Sequence, residues 1–178
     1  MLLFVASCGR LGADAGSNGD ASGAGSLRII PRSDRGAPVV LTGTDLSGAS
    51  VTLSGRPHAA TIVNVWWSGC VECRVEASTL RALASDQSLK SRLLGIDVRE
   101  SSPIQGRRFV EKYGLLYPSL YDPGGRALLA FGGAVPYMAI PTTVVLDEGL
   151  RVGAVVLGVL PPVATMRTVI AEVLSTGP

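Results

Sequence analysis

Apolar residues in this chain recur in two rhythms. Residues 60–66 and 92–98 are almost continuous apolar runs rich in β-branched side chains. That pattern belongs to central strands covered on both faces. Residues 39–43 and 49–54 flank a polar turn at 44–48, and residues 141–147 and 152–157 flank Glu148 and Gly149. Each pair predicts a hairpin. Elsewhere the spacing turns helical. Val71, Val75, Leu80, Leu83 and Ala84 share a face of a helix over 72–85, and Val163, Met166, Val169, Ile170 and Val173 do the same over 162–174. A further helix over 103–113 opens on Pro103 and stops at Gly114, and 123–131 reads as a short one. The order predicts an α/β domain: a central mixed β-sheet flanked by helices, with an N-terminal β-hairpin extension.

Before that domain the pattern fades. Residues 9–26 are Gly, Ala, Ser, Asp and Asn with almost no large apolar side chain. Such a stretch cannot offset its own ordering entropy. A flexible tether is therefore expected over 9–36, with the folded domain over 37–178. Residues 1–8 end in Val5, Ala6, Ser7 and Cys8, which resembles the lipobox of bacterial lipoproteins. A truncated lipoprotein signal with lipidation of Cys8 is one reading of it. The run is short and carries no basic residue ahead of it, so an ordinary N-terminus with a stray cysteine stays open.

Charge and composition narrow the chemistry. A net charge of +2 over 178 residues, with no Lys/Arg run, argues against a nucleic-acid surface or an acidic polymer as partner. One histidine, His58, leaves little for a Cys–His pair or a multi-histidine metal cage.

The placement of the three cysteines is the strongest signal. Cys70 and Cys73 stand two residues apart where the 60–66 strand gives way to a helix. A thiolate at a helix N-terminus faces unpaired backbone N–H groups and the positive end of the helix dipole. Both lower its pKa, and only the thiolate attacks a disulfide. Cys70 is then the exposed attacking thiol, and Cys73, one turn inside, the resolving thiol. The same spacing is half a zinc site, but only Cys8 and His58 remain as further ligands. Core filler is the third reading of the pair.

Asn64, Trp66, Trp67, Cys70, Cys73, Arg74 and Glu76 together resemble the motif of the thioredoxin superfamily, in particular its TlpA/ResA-like extracytoplasmic branch. Tyr117, Pro118 and Asp122 resemble a second segment of that branch, and Ile140, Pro141, Thr142 and Thr143 its cis-proline strand. The similarity covers roughly residues 37–175. It implies a thioredoxin-like fold and a protein thiol–disulfide oxidoreductase. It also implies that Pro141 is cis and packs beside the cysteine pair, and that Ile140 offers its backbone to a substrate peptide. Glu76 then corresponds to a buried acid that tunes the cysteines, although a solvated first-turn glutamate fits the sequence too. Trp67 shields the pair or packs in the core, and Pro141 also suits a plain strand entry. No cofactor is implied beyond the redox-active Cys70–Cys73 disulfide.

One departure concerns direction. Glu72 stands where the branch most often has proline, and Val71 and Glu72, lying between the cysteines, tune the reduction potential. A reductant of exported protein thiols, of the kind used in cytochrome c maturation, is the leading expectation, and a disulfide-forming oxidase the alternative. Other classes fit less well. A peroxiredoxin-like peroxidase needs Thr or Ser where Trp67 stands, and a thioredoxin-fold copper chaperone needs wider cysteine spacing and a downstream histidine. The expected setting is extracytoplasmic: anchored on the outer face of a bacterial cell membrane beside a membrane redox partner, or secreted.

Overall fold

The computed structural model describes residues 25–55, 59–89, 91–137 and 139–175. Cys8 and His58 lie outside them, as do the 1–8 signal reading and the 9–24 part of the tether. Eight strands are present among the described residues: β1 Ser26–Ile29, β2 Leu41–Thr44, β3 Ser50–Leu53, β4 Thr61–Trp66, β5 Arg92–Asp97, β6 Ser119–Tyr121, β7 Thr142–Leu146 and β8 Val152–Leu157. The helices are α1 Val71–Ser85, α2 Pro103–Tyr113 and α3 Val163–Leu174.

Six strands form one mixed sheet in the order β1-β8-β7-β4-β5-β6. β4 pairs parallel with β5 and antiparallel with β7, and every one of its residues is buried. Its unbroken apolar run is therefore explained: helices cover one face, and residues 39–53 with the 3-10 segment Arg126–Phe131 cover the other. Ile62 and Trp66 point toward α1, α2 and α3, where they join Leu80, Phe109 and Met166. Val63 and Val65 point to the opposite face, against Val39, Leu128 and Phe131. Trp66 stacks on Phe109 of α2 with ring centroids 4.8 Å apart. That packing fixes the end of β4, the point from which the cysteine loop departs.

β2 and β3 form the hairpin, registered Leu41 to Leu53, as a separate two-stranded sheet. Its turn is held by the Asp45 carboxylate, which accepts from the Ser47 N–H and hydroxyl and from the Ala49 N–H. α2 ends as its sequence requires. Gly114 adopts φ 66°, a left-handed conformation that costs glycine little.

Two expectations need correction. The tether does not reach residue 36, because Ser26–Ile29 is an edge strand paired antiparallel with β8, from Ser26 opposite Leu157 to Ile29 opposite Ala154. A single 3-10 turn follows at Arg32–Asp34. Long-range pairing with an apolar strand overrides the weak local pattern. The short helix of 123–131 is a 3-10 segment, Arg126–Phe131, bounded by Gly125 and Gly132 in left-handed conformations.

Candidate active site

Beyond β4 the chain turns through Trp67, Ser68 and Gly69, closed by the Cys70 N–H donating to the Trp67 carbonyl at 3.0 Å. Trp67 folds back over Gly69. A Cβ on residue 69 would sit 2.5 Å from the indole, so glycine is needed for that close approach. Cys70 is the N-cap of α1, and its sulfur accepts the Cys73 N–H at 3.0 Å. This contact is the helix-terminus stabilisation that favours a thiolate. Cys70 and Cys73 form a disulfide, Cα to Cα 5.3 Å. The expected exposed thiol is in fact buried in the disulfide: Cys70 is 7% exposed and Cys73 1%, so Cys70 is only the less deeply covered of the two. Val71 and Glu72, between them, are exposed, and a Glu72 carboxylate oxygen lies 3.9 Å from the Cys70 sulfur.

The second wall is the turn into β7. Register places Val65 opposite Thr142, which sets residues 140 and 141 beside the end of β4. The Ile140–Pro141 peptide bond is cis. Pro141 is buried, and its carbonyl accepts the Gly158 N–H at 2.9 Å. Ile140 and Trp67, both half-buried, pack against the cluster containing the two cysteines.

Beneath the disulfide lies a polar layer. Glu76, three residues past Cys73, is 1% exposed. Its carboxylate accepts from Asn64 Nδ2 at 2.8 Å and from the Leu160 N–H at 3.1 Å, and the same Asn64 amide donates to Thr143 Oγ1. Burial outweighs these hydrogen bonds and pushes the Glu76 carboxyl up to about 7. Burial, and then the negative charge of Glu76, raise the Tyr117 phenol above its ordinary value. The site therefore holds a redox-capable sulfur pair, a buried acid whose carboxyl is pushed up to about 7, and half-buried apolar side chains, Trp67 and Ile140, packed on the same cluster.

Two acids near the site have no role in the sequence reading. Asp97, the last residue of β5, is fully buried, and neither of its carboxylate oxygens has a hydrogen-bond partner. Burial, then the charge of Glu100, push it up to about 8. Their sequence signal is faint: an acid at the end of an apolar strand run and another three residues later. An acid protonated when folded and ionised when unfolded makes stability fall as pH rises between roughly 4 and 8. Asp97→Asn removes that penalty. It is expected to raise unfolding free energy by up to about 5 kcal/mol above pH 8 and to leave it nearly unchanged near pH 4. Urea melts across that range check this, and a pH slope matching the wild type overturns it.

Comparison with known proteins agrees with this geometry. The Redoxin family model matches residues 31–170. The chain is 26% identical over 105 residues to the thiol-disulfide oxidoreductase ResA of Halalkalibacterium halodurans, covering 58% of this chain and 57% of that one. It is 33% identical over 99 residues to the thiol:disulfide interchange protein DsbE of Allochromatium vinosum, covering 53% and 51%. The chain thus spans little more than half the length of either curated relative. Among solved structures, a DsbF homologue from Corynebacterium diphtheriae superposes with a TM-score of 0.73 at 27% identity, covering 93% of this chain and 99% of that one. A secreted thiol-disulfide isomerase from Corynebacterium glutamicum gives a TM-score of 0.73 at 28% identity, covering 93% and 98%. With the match running from the N-terminal 3-10 turn into the last helix, across the cysteine pair, the chain belongs to the Redoxin family and is a ResA-like member of the thioredoxin superfamily.

Proposed function

We propose that the chain is an extracytoplasmic thiol–disulfide oxidoreductase that reduces disulfides in exported proteins, apocytochrome c segments among them. The observation that carries the reading is the Cys70–Cys73 disulfide at the head of α1, just past the end of β4, with the cis Ile140–Pro141 turn set by register beside that same strand end. The Cys70 thiolate attacks a substrate disulfide, forming a mixed disulfide and expelling one substrate thiolate. Glu76, titrating near 7, takes the proton of Cys73. The Cys73 thiolate then attacks the Cys70 sulfur and expels the second substrate thiolate. Two electrons pass to the substrate and the chain is left as the disulfide, which a dithiol partner at the membrane re-reduces.

Glu72 supports the reducing direction. Its carboxylate, 3.9 Å from the Cys70 sulfur, opposes the thiolate. Strong oxidants of this class have a stabilised reduced form, and a destabilised one shifts the pair toward giving electrons away. The secreted relative supports the extracytoplasmic setting. A membrane anchor through Cys8 rests on the N-terminal motif alone.

Equilibration with dithiothreitol or glutathione redox mixtures tests the direction. A potential near the thioredoxin value of about −270 mV is expected. One near the DsbA value of about −120 mV transfers the chain to the disulfide-forming reading.

A further inference from the structure

Glu100 lies 32 positions from Ser68 in sequence, yet it is 4% exposed and its Oε1 accepts the Ser68 N–H at 2.7 Å. The chain reaches that position through an unusual backbone. Arg99 has φ 62°, in the left-handed region that non-glycine residues seldom occupy. The Arg99 N–H is tied to the Pro123 carbonyl at 3.2 Å, and its guanidinium to the Tyr137 carbonyl at 3.4 Å. The turn directs Glu100 back under the cysteine loop, and the Tyr121 hydroxyl donates to the Glu100 carbonyl at 3.3 Å. On its other side, Ser68 offers its carbonyl to Arg74 Nη2 at 3.0 Å. Both backbone groups of Ser68 are thus held by charged side chains, two residues ahead of Cys70.

We propose that Glu100 is a positioning residue for Cys70: by holding the Ser68 N–H it keeps the Trp67–Cys70 turn closed and the Cys70 sulfur over the Cys73 N–H. A carboxylate acceptor makes a stronger bond than a neutral one, and burial shields that bond from water. Loosening the turn withdraws the Cys73 N–H from the thiolate. Cys70 then ionises at higher pH and attacks more slowly.

The inference rests on the thiol–disulfide reading but holds for either direction of electron flow. It is tested on the full chain with Glu100→Met, which keeps the volume without an oxygen acceptor, and Glu100→Gln, which keeps the oxygen without the charge. Glu100→Met is expected to slow insulin-disulfide reduction about ten-fold and to move the pH midpoint of Cys70 alkylation upward, with its circular dichroism unchanged. Glu100→Gln is expected to stay within about three-fold of the wild type. A Glu100→Met protein with wild-type rate and midpoint overturns the proposal, as does a Glu100→Gln protein as impaired as Glu100→Met. Should Glu100→Met not fold, hydrogen exchange in the wild type decides: a protected Ser68 amide supports the hold, and one exchanging at open-loop rates overturns it. A wild-type chain inert toward every disulfide tested defeats the oxidoreductase reading instead, while the alkylation and exchange measurements still judge Glu100.

Discussion

Cys70→Ala is expected to abolish disulfide exchange, whereas Cys73→Ala is expected to leave the first attack intact and freeze the cycle half-way. The asymmetry follows from position along α1. Cys70 caps the helix, receives the Cys73 N–H and is the more exposed sulfur, so it meets the substrate. Cys73 is buried one turn inward, where no protein substrate reaches it, and its one available target is the Cys70 sulfur. That second attack is intramolecular, with the two Cα atoms 5.3 Å apart. Effective molarities of well-oriented intramolecular reactions reach about 10⁵ M, far above the thiol concentrations of any compartment. Losing Cys73 is therefore expected to prolong the mixed disulfide by at least about a thousand-fold. Non-reducing electrophoresis with mass spectrometry of the captured species reads this directly. A Cys70→Ala protein that still reduces insulin removes the proposed mechanism, and captured exported proteins would identify its substrates.

How far the chain discloses itself depends on how local each cause is. The β4 run, the cysteine turn and the presence of α1 are legible because a strand buried on both faces must read as continuous apolar sequence and a helix follows it. The face of α1 is not: Val71, Val75 and Ala84, read as its apolar side, are exposed, while Cys73, Glu76, Ala77, Leu80 and Leu83 are buried. α2 is bracketed by Pro103 and Gly114, residues whose backbone limits are intrinsic. The strand Ser26–Ile29 is not legible. Its first three residues are exposed, and the partner that makes it a strand lies some 130 positions away in β8. β6 is three residues long, follows Pro118 and leaves no periodicity to read. At the site, the cysteine pair and Pro141 carry motifs, while the environment of Glu76 does not. A glutamate three residues after Cys73 fits a solvated helix face as well as a buried one, and only packing against Asn64 and Leu160 decides between them. Glu100 is further still from local logic. Its contact with Ser68 depends on β5 and β4 being neighbours and on one left-handed residue, Arg99.

The segment misread as tether also supplies the largest expected loss of stability, through Arg35→Ala. Arg35 Nη1 lies 2.9 Å from Asp147 Oδ2, with the two side chains 3% and 5% exposed. The same guanidinium donates to the Ile30 and Val173 carbonyls at 3.1 and 3.0 Å. One side chain thus joins the N-terminal segment, the β7–β8 turn and the end of α3. Burial pushes the Asp147 carboxyl up, but the Arg151 N–H, Arg35 and the Gly149 N–H together hold it below the usual carboxylate value. Removing Arg35 leaves that carboxylate buried without its counter-charge, a change that typically costs about 3–5 kcal/mol. The pair itself is another matter, since two buried charges lose hydration to meet. Arg35→Met combined with Asp147→Leu should therefore recover much of the loss that Arg35→Ala alone produces. With Asp147 depressed, the pair's contribution is full above the unfolded carboxylate pKa of about 4 and fades as pH falls through the lower folded value. Urea melts near neutral pH supply the test, and a loss under about 1 kcal/mol for Arg35→Ala overturns the expectation. Because the β7–β8 hairpin also carries Pro141, a loss in the expected range means that the N-terminal segment braces the wall against which the cysteine pair works.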